Sequence, residues 1–305
     1  MTGNEASRGR TLSAPAKLNF YLHVLGRRSD GYHFLDSLVV FADLADELSF
    51  HPDDGLHLSI QGPFAAALTR SDRDKAGLED NLILRAARHL AAFAGVQCGA
   101  AITLTKNLPV AAGIGGGSAD AAAALLGLAR LWDLDLESGD LARLGLKLGA
   151  DVPVCLKGQA TFVEGIGEKL TPVTGLGKAG LLLVNPGTPL STAAVFQAHG
   201  DSTSYPAPIE AVPNDIDALA RFLKARRNDL TVAAVGLAPV IGEVLDVMAG
   251  DKACLFARMS GSGPTCFGLY REVAACHAAV AAIRRDHPTW WVAASEMRSD
   301  ANAPG

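Results

Sequence analysis

Apolar and polar side chains alternate along the first part of the chain in the manner of half-buried strands. Over residues 13–25, every second side chain from Leu18 to Val24 is apolar, and those between are more polar. A period of two puts successive side chains on opposite faces of a strand. The apolar run over residues 38–41 and the alternation over residues 56–60 predict further strands. We therefore expect several strands before the first helix.

The middle of the chain predicts three helices and one strand. The first convincing helix covers residues 82–93, and Gly95 follows it as a residue that readily adopts the left-handed conformation found at many helix ends. The elements after it are a strand over residues 101–105, a loop over 107–117, an alanine-rich helix over 118–131 and a helix over 141–148 that Gly149 ends.

From about Leu181 onward, short strands alternate with helices. The predicted strands cover residues 181–184, 253–259, 265–270 and 290–294, and the predicted helices cover residues 191–197, 239–248 and 272–284. Without the extra helices the order is β-α-β-β-α-β, the split pattern of a ferredoxin-like layer. We therefore expect an α+β fold with a disordered tail over residues 1–12, an N-terminal domain over 13–178 and a C-terminal domain over 179–300.

Composition and charge narrow the class of protein. The fractions of 49% apolar and 19% charged residues are typical of a soluble globular protein, and no apolar run reaches the roughly 18–20 residues that span a bilayer. Residues 1–10 are polar and contain no apolar signal segment, so we expect a cytoplasmic protein without a membrane partner. The net charge of −5 disfavours nucleic-acid binding, which usually needs a basic face.

Cysteine and histidine spacing gives no sign of a metal site. The five cysteines include no C-x-x-C pair, which favours neither a disulfide framework nor a zinc site. The histidines are scattered without metal-ligand spacing. We therefore expect no metal ion held by protein ligands alone.

The most informative segment is a glycine-rich loop directly before the alanine-rich helix. Four of the five positions from Gly113 to Gly117 are glycine, and Ser118 follows them. Clustered glycines let the backbone approach a ligand closely, and a helix N-terminus adds amide groups and the positive end of the helix dipole. This favours a phosphate-binding loop. The alternative is a tight strand-to-helix connection with Ser118 as its N-cap.

Two other phosphate-binding motifs do not fit this loop. A Walker A loop requires a lysine directly before Ser118, and Gly117 stands there instead. The dinucleotide fingerprint G-x-G-x-x-G matches at Gly113 and Gly115, but its third glycine position holds Ser118. A nucleotide-binding oxidoreductase is therefore disfavoured.

The segment from Pro109 to Asp120 resembles the phosphate-binding motif of the GHMP kinases, P-x-x-x-G-[LI]-G-G-G-S-[SA]-D. Further motifs resemble those of one branch, whose acceptor is a cytidine diphosphate-linked methylerythritol of the non-mevalonate route to isoprenoid precursors: APAKLNF at residues 14–20, GRRSDGYH at 26–33, LGADVP at 148–153 and SGSGP at 260–264. These motifs occur in the branch's order from about residue 14 to residue 270. Ala119 and Ile114 replace the commoner Ser and Leu, and neither change removes a functional group used below.

The resemblance implies a two-lobed GHMP kinase fold and an ATP-dependent phosphoryl transfer. An N-terminal mixed α/β lobe would carry the glycine loop, a ferredoxin-like lobe would follow, and the active site would lie in the cleft between them. ATP would bring Mg²⁺ on its phosphates, with Ser118 as a further candidate ligand of the ion. The residues implied to bind the ATP phosphates are Pro109, Gly113, Gly115, Gly116, Gly117 and Ser118.

The resemblance also assigns catalytic roles to two charged residues. Asp151 would take the proton of the acceptor hydroxyl, and Lys17 would orient that hydroxyl and keep Asp151 ionised. Judged by local sequence alone, Asp151 could be a turn residue. Lys17 and Asn19 lie two positions apart on one strand, so without the resemblance they could form a solvated face. The resemblance places Asn19 among the substrate-binding residues.

Three aromatic residues are implied to bind the base of the acceptor. His33 would hydrogen-bond the cytosine, Tyr32 would stack on it and Phe196 would stack as a second aromatic. Without the resemblance, Tyr32 and His33 could be ordinary packing residues, and Phe196 could be a helix-core residue.

Two further features concern the surroundings of the glycine loop: the segment Ser260–Gly263 and Lys106. Ser260, Gly261 and Gly263 are implied to lie over the active site near the glycine loop, although a hairpin-like turn between strands explains them equally well. Lys106 and Asn107 directly precede the loop and could reach the nucleotide, but lysines at strand ends usually face solvent, so we assign Lys106 no role.

Two alternative functions remain at this point. A GHMP kinase could act on a base-free alcohol such as homoserine or a mevalonate derivative, but residues 30–33 and Phe196 have a purpose only if the acceptor carries a base. A catalytically silent binding protein of the same fold is disfavoured because Lys17, Asp151 and Ser118 are all present. The sequence leaves open whether the protein is a monomer or a homodimer.

Overall fold

The structure, a computed structural model, describes residues 10–72, 81–207 and 211–298. Of the expected N-terminal tail, residues 1–9 lie outside the described residues, and residues 10–12 begin the first strand.

The described residues form strands and helices in an α+β order. The strands are β1 (Arg10–Arg27), β2 (His33–His51), β3 (Leu56–Gln61), β4 (Ala100–Thr105), β5 (Thr161–Gly165), β6 (Lys169–Pro172), β7 (Gly180–Asn185), β8 (Phe256–Met259), β9 (Cys266–Tyr270) and β10 (Trp291–Glu296). The helices are α1 (Ala65–Asp72), α2 (Leu82–Ala94), α3 (Gly116–Leu131), α4 (Ser138–Leu148), α5 (Val152–Lys157), α6 (Thr192–His199), α7 (Ile216–Lys224), α8 (Thr231–Leu237), α9 (Val240–Gly250) and α10 (Val273–Asp286).

The chain divides into two compact units. The first unit comprises residues 1–15, 45–110 and 116–156, and the second comprises residues 16–44, 111–115 and 157–305. The glycine loop is therefore divided, because residues 111–115 belong to the second unit and α3 belongs to the first.

In the first unit, an alanine-rich helix packs closely on the sheet. β4 lies between β3, to which it is parallel, and the second half of β2, to which it is antiparallel. Helices α2, α3 and α4 contact one another. A Cβ atom at Gly127 of α3 would lie 2.3 Å from the Phe50 ring of β2. Helix and strand thus approach more closely than a larger side chain would permit.

In the second unit, a four-stranded antiparallel sheet has the order β10-β7-β9-β8. With α9 and α10 it gives the order expected of a ferredoxin-like layer, so this prediction is confirmed. Apolar residues of the sheet and of α8, α9 and α10 form the core of this unit. Elsewhere in the unit, the first half of β2 pairs with β5, and β5 pairs with β6.

Most predicted elements are present, with changes at their ends. The α+β fold class is confirmed, and Gly95 ends α2 with a φ of 67°, as predicted. The alanine-rich helix begins at Gly116 instead of Ser118, so Ser118 is a first-turn residue and its assignment as N-cap is wrong. The pattern missed short elements: helices α1, α5, α7 and α8 and strands β5 and β6.

Candidate active site

The glycine loop reaches α3 through several residues in the left-handed conformation. Ala111, Gly113 and Gly115 have φ values of 51°, 72° and 65°. α3 then begins at Gly116, and the first turn of an α-helix leaves its amide groups without intrahelical acceptors. These amides and the positive end of the helix dipole make the start of α3 suited to an anion.

The turn between β8 and β9 packs directly on this loop. The Ser260 hydroxyl donates a hydrogen bond to the Gly113 carbonyl oxygen at 3.0 Å and accepts one from the Asn19 amide at 3.1 Å. The Thr265 amide donates to the Ala112 carbonyl oxygen at 3.2 Å. A Cβ atom at Gly113 would lie only 2.5 Å from the Gly263 carbonyl oxygen. The Ser260–Gly263 segment is therefore a strand-connecting turn that also holds the glycine loop.

Lys17 and Asn19 lie on β1 beside the same loop and are buried, with 3% and 5% of their surfaces exposed. The Lys17 ammonium donates to Asn19 Oδ1 at 3.0 Å, and the Lys17 amide donates to the Ile114 carbonyl oxygen at 2.9 Å. Asn19 Nδ2 in turn donates to the Ser37 hydroxyl at 2.8 Å. The alternative that these two residues form a solvated face is wrong. The second unit thus places an ammonium and an amide side chain next to residues 113–115.

Asp151 lies in the first unit, immediately before α5. It is half-buried, and its carbonyl oxygen accepts a hydrogen bond from the Cys155 amide at 3.2 Å, in the first turn of that helix. Asp151 therefore stands at a helix start, a feature that the sequence pattern did not predict. Lys17 and Asp151 belong to different units, and their pairing stays a prediction.

The structure brings together two of the three residues expected to bind the base. The rings of His33 and Phe196 stack with centroids 4.6 Å apart and planes inclined by 23°. Phe196 also packs against the core of the second unit. Tyr32 is 56% exposed. Burial, together with nearby Arg27 and His199, lowers the pKa of His33 and so favours its neutral imidazole, which offers one donor and one acceptor.

The second unit also contains a buried carboxylate, Asp36, that the sequence analysis did not identify. Asp36 accepts hydrogen bonds from the Tyr21 hydroxyl at 2.8 Å and the Ala207 amide at 2.6 Å, and His23 Nδ1 lies 3.6 Å away. Burial acts to raise the pKa of Asp36, but nearby His23 and the hydrogen bonds from the Ala207 amide and the Tyr21 hydroxyl outweigh it and hold the pKa below its usual value. Asp36, on β2, thereby connects Tyr21 of β1 with Ala207, which lies in the segment that follows α6.

Lys106 is the clearest correction to the sequence analysis. It does not face solvent, because its ammonium lies 2.5 Å from Asp46 Oδ2 and 2.8 Å from Asp120 Oδ2, all within the first unit. Burial acts to lower the pKa of Lys106, but the two carboxylates hold it above its usual value. Burial raises the pKa of Asp120, against the opposing effect of Lys106. The motif contained Asp120, but no local signal pointed to Asp46.

Two negative findings apply to the described residues alone. Across residues 10–72, 81–207 and 211–298, no group of three or more His, Cys, Asp or Glu side chains is placed to hold a metal ion. Over the same ranges, every helix is too short or too polar to cross a membrane.

Two protein-family models match the chain. The model described as GHMP kinases N terminal domain matches residues 81–159, and that described as GHMP kinases C terminal matches residues 209–286. A relative named 4-diphosphocytidyl-2-C-methyl-D-erythritol kinase, from Paramagnetospirillum magneticum, is 51% identical over 289 residues, which cover 95% of this chain and 99% of the relative. A relative of the same name from Rhodospirillum rubrum is 49% identical, with 94% and 92% of the two chains covered.

Solved structures give the same picture at the level of the fold. A crystal structure of 4-(cytidine 5'-diphospho)-2C-methyl-D-erythritol kinase superposes with a TM-score of 0.76 at 33% identity and covers 97% of this chain and all of the other. Homoserine kinase from Cytophaga hutchinsonii superposes with a TM-score of 0.72 over 98% of this chain and 97% of its own. Its identity is 18%, so it supports the fold alone.

Proposed function

Because the chain belongs to the GHMP kinase family, we propose that it transfers the γ-phosphoryl group of ATP to the 2-hydroxyl of 4-diphosphocytidyl-2-C-methyl-D-erythritol. The products are ADP and the 2-phosphate of this acceptor, in the non-mevalonate route to isoprenoid precursors. The observation that carries the proposal is identity near 50% over almost the whole chain with relatives named for this reaction.

The phosphates of ATP bind to the glycine loop and the start of α3. The left-handed residues of the loop and the first-turn amides of α3 support this assignment, with Gly113, Gly115, Gly116, Gly117 and Ser118 as the phosphate-binding residues and Pro109 at the loop entrance. ATP brings Mg²⁺ as part of the substrate, and the ion offsets phosphate charge. The Ser118 hydroxyl lies in the first turn of α3 and offers an oxygen atom as a ligand for Mg²⁺.

The acceptor hydroxyl loses its proton to Asp151 as its oxygen bonds to the γ-phosphorus, and the bond from that phosphorus to the ADP oxygen breaks. Lys17 contacts the acceptor oxygen and neutralises charge that develops there. The half-buried position of Asp151 and the buried ammonium of Lys17 beside the glycine loop support these roles. Asn19, which holds the Lys17 ammonium, fixes its direction.

The cytosine end of the acceptor binds at His33, with Phe196 and Tyr32 as stacking residues. The neutral imidazole of His33 can donate to or accept from the base edge. Its stack on Phe196 supports this assignment, because the two rings lie next to each other in the second unit. Stacking of a base on an aromatic ring is worth roughly 1–3 kcal/mol, which anchors the acceptor at its unreactive end.

Release of ADP, dependent on ATP and Mg²⁺, tests the proposal. The full-length protein is assayed with 4-diphosphocytidyl-2-C-methyl-D-erythritol, homoserine, mevalonate and free methylerythritol in parallel. Turnover with the cytidylylated acceptor alone is expected. Turnover with a base-free alcohol would keep the kinase and overturn the substrate, and ADP release with none of the four would overturn the catalytic assignment.

A further inference from the structure

A buried lysine between two carboxylates lies at the start of α3 and has no place in the catalytic scheme above. The exposed surface is 2% for Lys106, 0% for Asp46 and 4% for Asp120. Burying a charged group is costly unless it is paired, and removing one partner leaves the other uncompensated. The buried ammonium of Lys106 is therefore compensated by the two carboxyl groups beside it, Asp46 and Asp120.

The three residues join three separate elements of the first unit. Asp46 belongs to β2, Lys106 directly follows β4, and Asp120 is the fifth residue of α3. Asp46 also accepts hydrogen bonds through Oδ1 from the amides of Asn107 at 2.6 Å and Leu108 at 2.9 Å. One ammonium thus connects the start of the helix to the segment in which β4 ends.

The ammonium of Lys106 also lies close to the first helical residue. A Cβ atom at Gly116 would be 3.1 Å from Lys106 Nζ. On the side of α3, a single bond carries the connection, because Asp120 Oδ2 accepts from Lys106 and Asp120 Oδ1 is buried without a hydrogen-bond partner among the described residues. This bond therefore contributes to the direction of the first turn of α3 relative to the end of β4.

We infer that Asp46, Lys106 and Asp120 are positioning residues for the phosphates of ATP. They act through the helix: Lys106, fixed by Asp46, holds Asp120 and with it the amides of residues 116–118 in the direction that phosphate binding requires. The inference rests on the proposed function only in so far as these amides bind ATP, and it does not depend on the acceptor.

The Asp120→Ala variant tests the inference, because it removes the connection and still leaves the Lys106 ammonium paired with Asp46. We expect KM for ATP to rise about tenfold, with KM for the acceptor within about twofold. Asp120→Asn retains an acceptor oxygen for Lys106 and should restore most of the ATP affinity. Direct ATP binding, measured by calorimetry, should follow the same order.

Asp251→Asn is the matched control, since Asp251 accepts a hydrogen bond from the Tyr270 hydroxyl at 3.0 Å in the second unit. It should leave both KM values unchanged. If Asp120→Ala does not fold, the same measurements on Asp46→Asn/Lys106→Met/Asp120→Leu, which leaves no buried charge unpaired, decide the question.

An unchanged KM for ATP, or equal changes in both KM values, would overturn the inference. A wild-type protein that binds ATP but turns over no acceptor would instead refute the proposed function, and the ATP affinities of the variants would still decide the inference.

Discussion

Replacing Gly113 by alanine tests how the glycine loop is held. Gly113 has a φ of 72°, and a Cβ atom there would lie 2.5 Å from the Gly263 carbonyl oxygen and 2.7 Å from that of Ser260. Both oxygens belong to the backbone, so no side-chain rotation relieves the overlap. The loop and the turn would have to separate.

Two free-energy costs add at Gly113. A side chain in the left-handed region costs about 1–2 kcal/mol. Separation of the loop from the turn also breaks the hydrogen bond from the Ser260 hydroxyl to the Gly113 carbonyl oxygen, which contributes about 1 kcal/mol. We therefore expect the free energy of unfolding to fall by about 2–3 kcal/mol, which for a chain of 305 residues lowers Tm by roughly 3–5 °C.

Gly95→Ala supplies the matched control for thermal melting, followed by circular dichroism. Gly95 has nearly the same φ, 67°, but a Cβ atom there meets nothing within 4 Å. The free energy of unfolding of Gly95→Ala should therefore fall only by the cost of the left-handed backbone conformation, about 1–2 kcal/mol. If Gly113→Ala melts no lower than Gly95→Ala, the contact between loop and turn does not hold the loop in place.

Three further predictions concern the remaining parts of the site. Asp151→Asn should lower kcat by about a hundredfold or more, since a positioned general base contributes roughly 10²–10⁴-fold, and steady-state ADP release measures this. Phe196→Ala should raise KM for the acceptor by about tenfold and leave KM for ATP unchanged, because it removes one stacking surface. Asp36 has a lowered pKa, so its contribution to stability is present above its unfolded value of about 3.9 and is lost as the pH falls through its folded pKa. Asp36→Asn should therefore flatten the loss of stability below about pH 4, measured by denaturant unfolding at each pH.

Each of these predictions has its own contrary result. An Asp151→Asn enzyme with near wild-type turnover would remove Asp151 from the chemistry. Equal increases of both KM values in Phe196→Ala would point to a general packing defect in α6. If the free energy of unfolding of Asp36→Asn falls as steeply below about pH 4 as that of the wild type, other carboxylates cause this loss of stability.

The parts of the fold that follow from local patterns could be predicted from the sequence. Alternation identified β1, and the element order of the C-terminal region predicted a ferredoxin-like layer, to which the observed sheet order β10-β7-β9-β8 corresponds. The start of α3 was misplaced because glycine has low intrinsic helix propensity, whereas Gly116 and Gly117 are helical here. The short α5 was missed because six residues carry too little periodicity.

The features that could not be predicted depend on contacts between distant residues. Asp46 and Lys106 are 60 positions apart, and nothing in either neighbourhood marks them as buried partners. Motif comparison identified Lys17 and His33, but it did not indicate that Lys17 bonds Asn19 or that His33 stacks on Phe196. Such contacts arise from the packing of elements that local propensity does not describe.

The stack of His33 on Phe196 also provides a spectroscopic signal. A ring held 4.6 Å from a phenyl group lies within its ring-current field, so the imidazole proton resonances of His33 should be displaced upfield in the free protein. A base that enters between the two rings, or moves one of them, would change that displacement. Nuclear magnetic resonance of the histidine side chains could therefore detect acceptor binding residue by residue, without ATP and without turnover.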